Sequence, residues 1–281
     1  MAAWLSAGLL FASAPARADQ PLTLAVNPYL PTTEVAARFT PLAARLGAAL
    51  GHKARVVVAE NYEQHIQTVG AGRADIAYLG PVSYVQLRNE YGPQHLLARQ
   101  ANQGIPTFHG AIIVREDSAL ETLSDLKGTR FAFGDPASTM NHVVPRVMLH
   151  DAGVDVTDLA GYDFVGSHKT VAFSVLTGKF DAGGVKMEAF EQFKNRGLRA
   201  LAVSDAISEH VFVAGPGLTP AQREKARAVL LGLHADQAGL DALRAIKPTL
   251  TALVPAGDAD YDALRRTLQV FERLTAKSGA D

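Results

Sequence analysis

Short apolar runs alternate along this chain with segments in which apolar residues recur every three or four positions. The apolar run at residues 22–26 is followed by a helical pattern at residues 33–50, which Gly51 stops. The same alternation of strand and helix continues at residues 54–71 and 75–87. This spacing predicts an α/β fold in which helices flank a mostly parallel sheet on both faces.

A second set of alternating segments occupies residues 110–203, and the apolar residues 211–214 return the chain toward the first set. The apolar stretch 180–185 indicates a turn, and the chain from Pro220 onward is helical in pattern, with Pro248 as an interruption. The two sets predict two lobes, each built on its own sheet. The predicted boundaries are residues 19–108 plus 211–281 for lobe 1 and residues 109–210 for lobe 2.

The loops that follow the predicted strands are the candidate ligand-binding segments. Open parallel sheets bind their ligands at the carboxyl ends of the strands. These loops lie at residues 27–29, 79–84, 135–141, 166–168 and 185–188.

The N-terminal residues are typical of a signal peptide. Residues 4–14 form a short apolar run, and Ala16-Arg17-Ala18 supplies the small-x-small pattern that a signal peptidase cuts, here before Asp19. The positively charged region that usually opens a signal peptide is missing, since no Lys or Arg precedes Trp4. We expect residues 1–18 to be a signal peptide and the mature chain to be a soluble protein of the periplasm.

The composition narrows the function classes. The sequence contains 0 Cys, which excludes disulfides, thiolate metal sites, cysteine nucleophiles and a lipid-anchored N-terminus. Its formal net charge of −1 offers no basic excess for nucleic acid or for an anionic membrane surface. The 9 His are scattered without metal-ligand spacing. We therefore expect neither a metal nor a cofactor.

The most informative stretch is residues 131–145, where a short apolar strand breaks at Gly134-Asp135-Pro136. Ser138, Thr139 and Asn141 follow this break and are predicted to lie at the start of a helix. First-turn N–H groups point outward there, and the helix dipole and the hydroxyls favour an anion. The alternative interpretation is that Ser138 or Thr139 only caps the helix.

Three motifs, in this order and spacing, resemble the periplasmic phosphate-, phosphite- and phosphonate-binding proteins of ABC importers. They are GRADIAYLGPVSY at residues 72–84, DPAST at residues 135–139 followed by Pro145, and GSH at residues 166–168 followed by VLTGKFDA at residues 175–182. The resemblance runs over most of the mature chain. It implies the two-lobed type II binding-protein fold, with the ligand in a cleft between the lobes.

The resemblance also implies which residues form the site. Where relatives usually read Ser-Thr-Ser-Gly, this chain reads Ser-Thr-Met-Asn, which removes a hydroxyl and adds bulk, so the pocket is expected to be smaller or to favour a different oxyanion. Acidic residues hold the amino group of aminoalkyl ligands in phosphonate binders, and Glu188 and Glu209 are the nearest candidates. The residues implied for lobe 1 are Tyr29, Leu79, Gly80 and Tyr84, and those for lobe 2 are Ser138, Thr139, Met140, Asn141 and His168.

Several of these side chains have a structural alternative. Tyr29 could be a packed turn aromatic, and Tyr84 could belong to the core. His168 is expected to add a charge-assisted donor that ties affinity to pH, or else to cap the following helix or to bond a backbone carbonyl. Lys186 is either an anion partner or a surface pair with Glu188. Tyr78 is expected to be buried, and His142 is expected to cover its helix.

The leading hypothesis is an extracytoplasmic solute-binding protein, a monomer that closes over a small oxyanion and delivers it to an ABC permease. A ligand that contacts both lobes favours the shut state by its differential affinity. The alternative is a ligand-sensing subunit that docks on a membrane sensor kinase. An enzyme on the same fold is the second alternative, and it is disfavoured.

Overall fold

The computed structural model describes residues 20–278. The predicted signal peptide at residues 1–18 lies outside the described residues. Within the described range, no helix combines the length and the apolar character needed to cross a bilayer. The strands are β1 (Leu22–Val26), β2 (Ala54–Val58), β3 (Ile76–Leu79), β4 (His95–Asn102), β5 (Thr107–Phe108), β6 (Gly110–Arg115), β7 (Arg130–Phe133), β8 (Gly161–Phe164), β9 (Ala182–Lys186), β10 (Leu198–Val203), β11 (Ile207–Ser208), β12 (Val211–Ala214) and β13 (Leu250–Val254).

Helix ends in this chain are set by residues that can cap them, such as a left-handed glycine or a side chain that accepts a backbone N–H. Helix α1 ends at Gly51, whose left-handed φ of 79° lets its N–H donate back to Ala48. The Asn61 side chain caps α2 by accepting the N–H of Gln64. The helices are α1 (Thr32–Leu50), α2 (Tyr62–Gly70), α3 (Pro81–Tyr91), α4 (Val144–Asp151), α5 (His168–Leu176), α6 (Met187–Glu191), α7 (Pro220–Gly232), α8 (Gln237–Ile246) and α9 (Asp262–Ser278).

The first sheet has six strands in the order β13-β4-β12-β3-β1-β2. Strand β1 lies between β2 and β3 and is parallel to both. Strand β12 pairs antiparallel with β3 and β4, and β13 pairs antiparallel with β4. This sheet is mixed, with its parallel part at β2-β1-β3.

The second sheet has five strands in the order β10-β6-β9-β7-β8. Strand β7 is parallel to β8 and β9, whereas β6 runs antiparallel to β9 and β10. All its strands lie within residues 110–203, and those of the first sheet lie within residues 22–102 and 211–254. The lobe boundaries at 108/109 and 210/211 stay a prediction.

The chain passes between the two sheets twice, and the two passages pair with each other. Strands β5 and β11 form an antiparallel ribbon in which Phe108 lies opposite Ile207 and Thr107 lies opposite Ser208. Such a two-stranded connection is the segment about which the sheets can rotate.

The topology brings strand starts and strand ends to one edge. Because β12 is antiparallel to β3, its first residue Val211 lies opposite Leu79, the last residue of β3. The residues just before β12 therefore share an edge with the loop after β3. The carboxyl end of β4 reaches the same edge, since Arg99 also lies opposite Val211.

Apolar residues of both lobes share one core. Met140, Val143 and Val144 belong to the second lobe, yet they pack in the same buried cluster as Val82 and Tyr84 of α3. The cluster continues onto Leu264 and Leu268 of α9. The turn that begins at Ser138 is therefore held against α3 by apolar packing as well as by its own lobe.

Two segments differ from the sequence expectation. Residues 180–185 were predicted to form a turn, but Ala182–Lys186 form the central strand β9, whose Gly-Gly pair weakened the strand pattern. The chain after Pro248 was expected to be helical, but Leu250–Val254 form β13 at the edge of the first sheet. This segment is a strand because it pairs with β4. It is too short for its sequence pattern alone to predict this.

Gly184 lets α4 pack closely on the second sheet, so we predict that Gly184→Ala destabilises the protein. An added Cβ would lie 2.5 Å from Cγ of Pro145 and 2.8 Å from its Cβ. Overpacking of this kind lowers the free energy of unfolding by about 1–3 kcal/mol, measured by urea denaturation. The control is Gly161→Ala in β8, where no atom of residues 20–278, apart from the two chain neighbours, lies within 4 Å of the added Cβ. Equal stability of the two variants would contradict the predicted packing.

Candidate functional site

Two adjoining cavities lie between the lobes. The smaller, which we call the anion pocket, has a volume of about 20 Å³ and is lined by Ser138 and Thr139. The larger, which we call the chamber, has a volume of about 370 Å³. A volume of roughly 10–15 Å³ is enough for one water, so the anion pocket is nearly shut in this conformation. The residues that line both cavities are Tyr29, Phe108, His168, Lys186 and His210.

The second lobe presents a hydroxyl-bearing turn to the anion pocket. After β7, the Asp135 carboxylate accepts the N–H of Ala137 at 2.8 Å and its carbonyl accepts the N–H of Ser138. Residues Thr139–Val143 then form one wide π-helical turn that leads into α4. Ser138 Oγ accepts the N–H of Asn141 at 3.3 Å. Ser138 thus caps this turn and lines the anion pocket at the same time.

Thr139 reaches across the cleft to the first lobe. Its Oγ1 accepts the N–H of Val82 at 3.1 Å, and both residues are buried. Val82 lies in the first turn of α3, which Gly80 precedes in extended conformation and Pro81 opens. First-turn N–H groups have no partner within their own helix. The Thr139 oxygen therefore takes up one donor at the positive end of α3.

His168 is a buried donor of defined tautomer. Its Nδ1 accepts the backbone N–H of Lys186 at 3.1 Å, so the ring proton resides on Nε2. Burial, together with the positive charges of Lys186 and His210, holds the pKa of His168 well below its usual value. The imidazole is neutral at physiological pH. The role of His168 as a donor to an anion stays a prediction, whereas the alternative that it caps α5 is wrong, because Ser167 caps this helix.

Asn141 supports His168 instead of lining either cavity. In the amide orientation that satisfies both polar atoms, Oδ1 accepts the N–H of His168 at 3.2 Å and Nδ2 donates to the carbonyl of Gly184 at 2.9 Å. Asn141 is almost fully buried. The asparagine that departs from the usual loop sequence thus connects the turn, α5 and β9. Met140, the other departure, lines the anion pocket with its neighbours Ser138 and Thr139.

Tyr84 and Leu79 lie away from both cavities, which corrects two of the implied site residues. The Tyr84 ring is fully buried 4.6 Å from the Tyr261 ring, and its hydroxyl donates to Asp258 at 2.5 Å. Leu79 is fully buried in the same core. Side chains leave a helix sideways, whereas its first-turn amides point along the axis. The N-terminal end of α3 therefore presents Gly80 and backbone N–H groups to the cleft, and the Tyr84 side chain points elsewhere.

Tyr29 and Tyr62 supply aromatic walls from the first lobe. Tyr29 lines both cavities, and the Lys186 ammonium lies 5.2 Å from the centre of its ring. Tyr62 lines the anion pocket together with Ser138. Burial raises the pKa of both tyrosines, so each keeps its hydroxyl proton. The sequence pattern predicted that Tyr62 lies in a helix but did not indicate that it is a site residue.

His210 is the main site residue that sequence reasoning missed. Its ring stacks on Tyr78 with centroids 5.2 Å apart, and its Nδ1 lies 2.9 Å from Glu209 Oε2. A Cβ added at Gly80 would lie 3.8 Å from Nε2, so the outer nitrogen faces the start of α3. The rule for parallel strands points to loops that follow strands, whereas His210 precedes the antiparallel strand β12. The adjacent Glu209-His210 pair was the signal available in the sequence.

Three further candidates from the sequence, Lys186, Glu188 and Glu209, line the chamber. Lys186 Nζ lies 3.3 Å from Glu188 Oε2, and Lys247 Nζ lies 2.9 Å from the same oxygen. Glu209 is almost fully buried and accepts the backbone N–H of His210 at 3.1 Å. Burial alone would raise the pKa of Glu209, but the hydrogen bonds from His210 and the charges of His210 and Lys247 lower it to about 2. The Glu209 carboxyl is therefore ionised.

The amino-acid sequence is similar to those of known transport proteins. Residues 24–261 match the family described as ABC transporter, phosphonate, periplasmic substrate-binding protein. The phosphate-import protein of Mycolicibacterium smegmatis is 26% identical over 277 residues, covering 89% of this chain and 85% of that protein. A probable phosphite-binding protein of an ABC transporter from Prochlorococcus marinus is 26% identical over 162 residues, 55% of this chain and 54% of that protein.

The fold is shared with a solved structure. The Prochlorococcus marinus protein in complex with methylphosphonate has a TM-score of 0.81 at 20% identity, covering 89% of this chain and 98% of that one. The predicted two-lobed α/β fold and the resemblance stated from the sequence motifs are both confirmed. This chain belongs to the family of periplasmic substrate-binding proteins of phosphonate ABC transporters.

Proposed function

We propose that this protein captures a tetrahedral phosphorus oxyanion, namely phosphate, phosphite or a phosphonate, in the periplasm and delivers it to the permease of an ABC importer. The observation that carries the proposal is the meeting of donors from both lobes at the anion pocket. The first turn of α3 and Tyr62 come from the first lobe. Ser138, Thr139 and His168 come from the second.

Neutral donors suit an oxyanion in this setting. Hydrogen bonds to a charged acceptor are about twice as strong as neutral ones, and burial strengthens them further. His168 Nε2–H is one such donor, because its Nδ1 is already occupied. Ser138 and Thr139 each accept a backbone N–H, which directs their hydroxyl protons elsewhere. The amide of Val82 adds a donor at the positive end of a helix.

Binding and closure are coupled in this proposal. The hydrogen bond from the Val82 N–H to Thr139 Oγ1 joins the two lobes. An oxyanion oxygen at the same place would accept hydrogen bonds from both groups. A ligand enters when the ribbon of β5 and β11 lets the lobes separate, and it then replaces this contact with several. Its contacts with both lobes favour the closed form that a permease recognises. The donors hold the anion, and the proposal requires no covalent step.

Removal of the two hydroxyls tests the site. We predict that Ser138→Ala/Thr139→Ala abolishes the melting-temperature increase produced by phosphate, phosphite or methylphosphonate. Two lost hydrogen bonds to a charged group, at about 1.5–3 kcal/mol each, weaken binding by at least a hundredfold, and the increase scales with RT ln(1 + [L]/Kd). Thr40→Ala, which removes an exposed hydroxyl on α1, is the control and keeps the increase. An unchanged increase in the double variant contradicts the assigned site.

The neutral state of His168 predicts a pH dependence of stability. The unfolded chain protonates this histidine below about pH 6.5, whereas the folded protein keeps it neutral to a lower pH. The unfolded state therefore binds the proton first, and the free energy of unfolding falls as the pH drops below about 6.5. His168→Gln, which cannot be protonated, should lose less stability between pH 8 and pH 5.5 than the wild type does. Urea denaturation at both pH values measures this difference, and equal losses would argue against a neutral His168.

A further inference from the structure

The chamber contains two carboxylates with a lysine ammonium between them. Glu188 lies on α6, and Glu209 lies in the short connection between β11 and β12. Lys247, which follows α8, places its Nζ 2.9 Å from Glu188 Oε2 and 3.7 Å from Glu209 Oε1. One ammonium thus joins the two acidic groups.

Each carboxylate has a second partner as well. Glu188 also pairs with Lys186 at 3.3 Å. Glu209 accepts hydrogen bonds from the His210 backbone N–H and from Nδ2 of Asn102. The negative charge of each carboxylate is therefore compensated, because each has a lysine and at least one further donor as partners. Glu34, which also lines the chamber, pairs with Arg38 at 2.7 Å, so each of these three carboxylates already has a cationic partner.

This arrangement bears on the substituent that a bound phosphonate carries. A pair of converging carboxylates next to an anion pocket is suited to an ammonium group, because a primary ammonium has three N–H donors and needs several acceptors. In this chain that place is taken by Lys247, which is tethered and cannot diffuse away. A ligand ammonium would have to displace it and would meet the positive charges of Lys186 and Lys247.

Room is not the constraint on the substituent. The chamber volume of about 370 Å³ is more than twenty times the roughly 10–15 Å³ that is enough for one water. Gln100 lines the chamber and is almost fully buried, and its Nε2 has no hydrogen-bond partner among the described residues. A buried unpaired donor is costly, so a substituent with an acceptor oxygen is suited to it.

We propose that Lys247 is a specificity-determining residue that acts as a built-in ammonium between Glu188 and Glu209, so that the site selects phosphonates with uncharged substituents against aminoalkyl phosphonates. This proposal rests on the proposed function, since it assigns the organic part of the same ligand. The discrimination is electrostatic, because both kinds of substituent have room in the chamber.

The test compares ethylphosphonate with 2-aminoethylphosphonate, which differ by one ammonium group, in titration calorimetry at pH 7. Wild-type protein is expected to bind ethylphosphonate at least tenfold more tightly. In Lys247→Met the built-in ammonium is gone, so the ratio of the two affinities should shift by at least tenfold toward 2-aminoethylphosphonate. Lys127→Met is the matched control, because it removes an exposed lysine that pairs with Asp158 at 3.9 Å and should leave the ratio unchanged.

A second variant separates the electrostatic mechanism from a change in packing. In Glu188→Gln/Lys247→Met the acceptor is removed together with the lysine, so most of the gain for 2-aminoethylphosphonate should disappear. A wild type that binds the amino ligand as tightly as ethylphosphonate overturns the proposal even if no variant folds. An unchanged ratio in folded Lys247→Met also overturns it. Failure of the wild type to bind any phosphorus oxyanion would instead contradict the proposed function.

Discussion

The hydrogen bond from the Val82 amide to the Thr139 hydroxyl is the contact on which the arrangement of the site depends. It joins a helix N-terminus of one lobe to the hydroxyl turn of the other, at a distance of 3.1 Å. Both groups are buried, so neither can turn to water for a partner in this conformation. A first-turn amide and a hydroxyl satisfy each other here, and the same two groups are suited to share an oxyanion. The closed lobes therefore require either this contact or a ligand in its place.

The sheets make that contact possible through their mixed topology. Parallel strands alone would bring only the loops after β1, β3, β7, β8 and β9 to the cleft. Antiparallel β12 starts where β3 ends, and it adds Glu209 and His210 to the same edge. The carboxyl end of β4 adds Gln100 and Asn102. The hydroxyl and amide donors thus come from the parallel part, and much of the chamber's polar lining comes from the antiparallel part.

This division explains what the sequence could predict. The alternation of strand and helix predicted the two lobes, and the rule for parallel strands predicted that Ser138, Gly80 and His168 lie in the cleft, where they line the anion pocket. His210 and Gln100 could not be found in this way, because strand direction depends on pairing between distant segments. Tyr84 was misplaced for a related reason. Its motif indicated the correct helix, but the side on which its ring packs is set by Tyr261 and Asp258, more than 170 residues further along the chain.

The same chemistry also sets a limit on how strongly the lobes hold each other without a ligand. The Lys247–Glu188 ion pair bridges the cleft with side chains that are only 16% and 27% exposed, so the cost of desolvating both charges offsets much of their attraction. The Thr139 hydrogen bond is neutral, and such a bond contributes about 1 kcal/mol net. These two polar contacts therefore add little to the apolar packing of Met140, Val143 and Val144 against α3. An oxyanion that accepts hydrogen bonds from both lobes forms stronger, charge-assisted contacts at the same place, and the difference between the two sets is the free energy that drives closure.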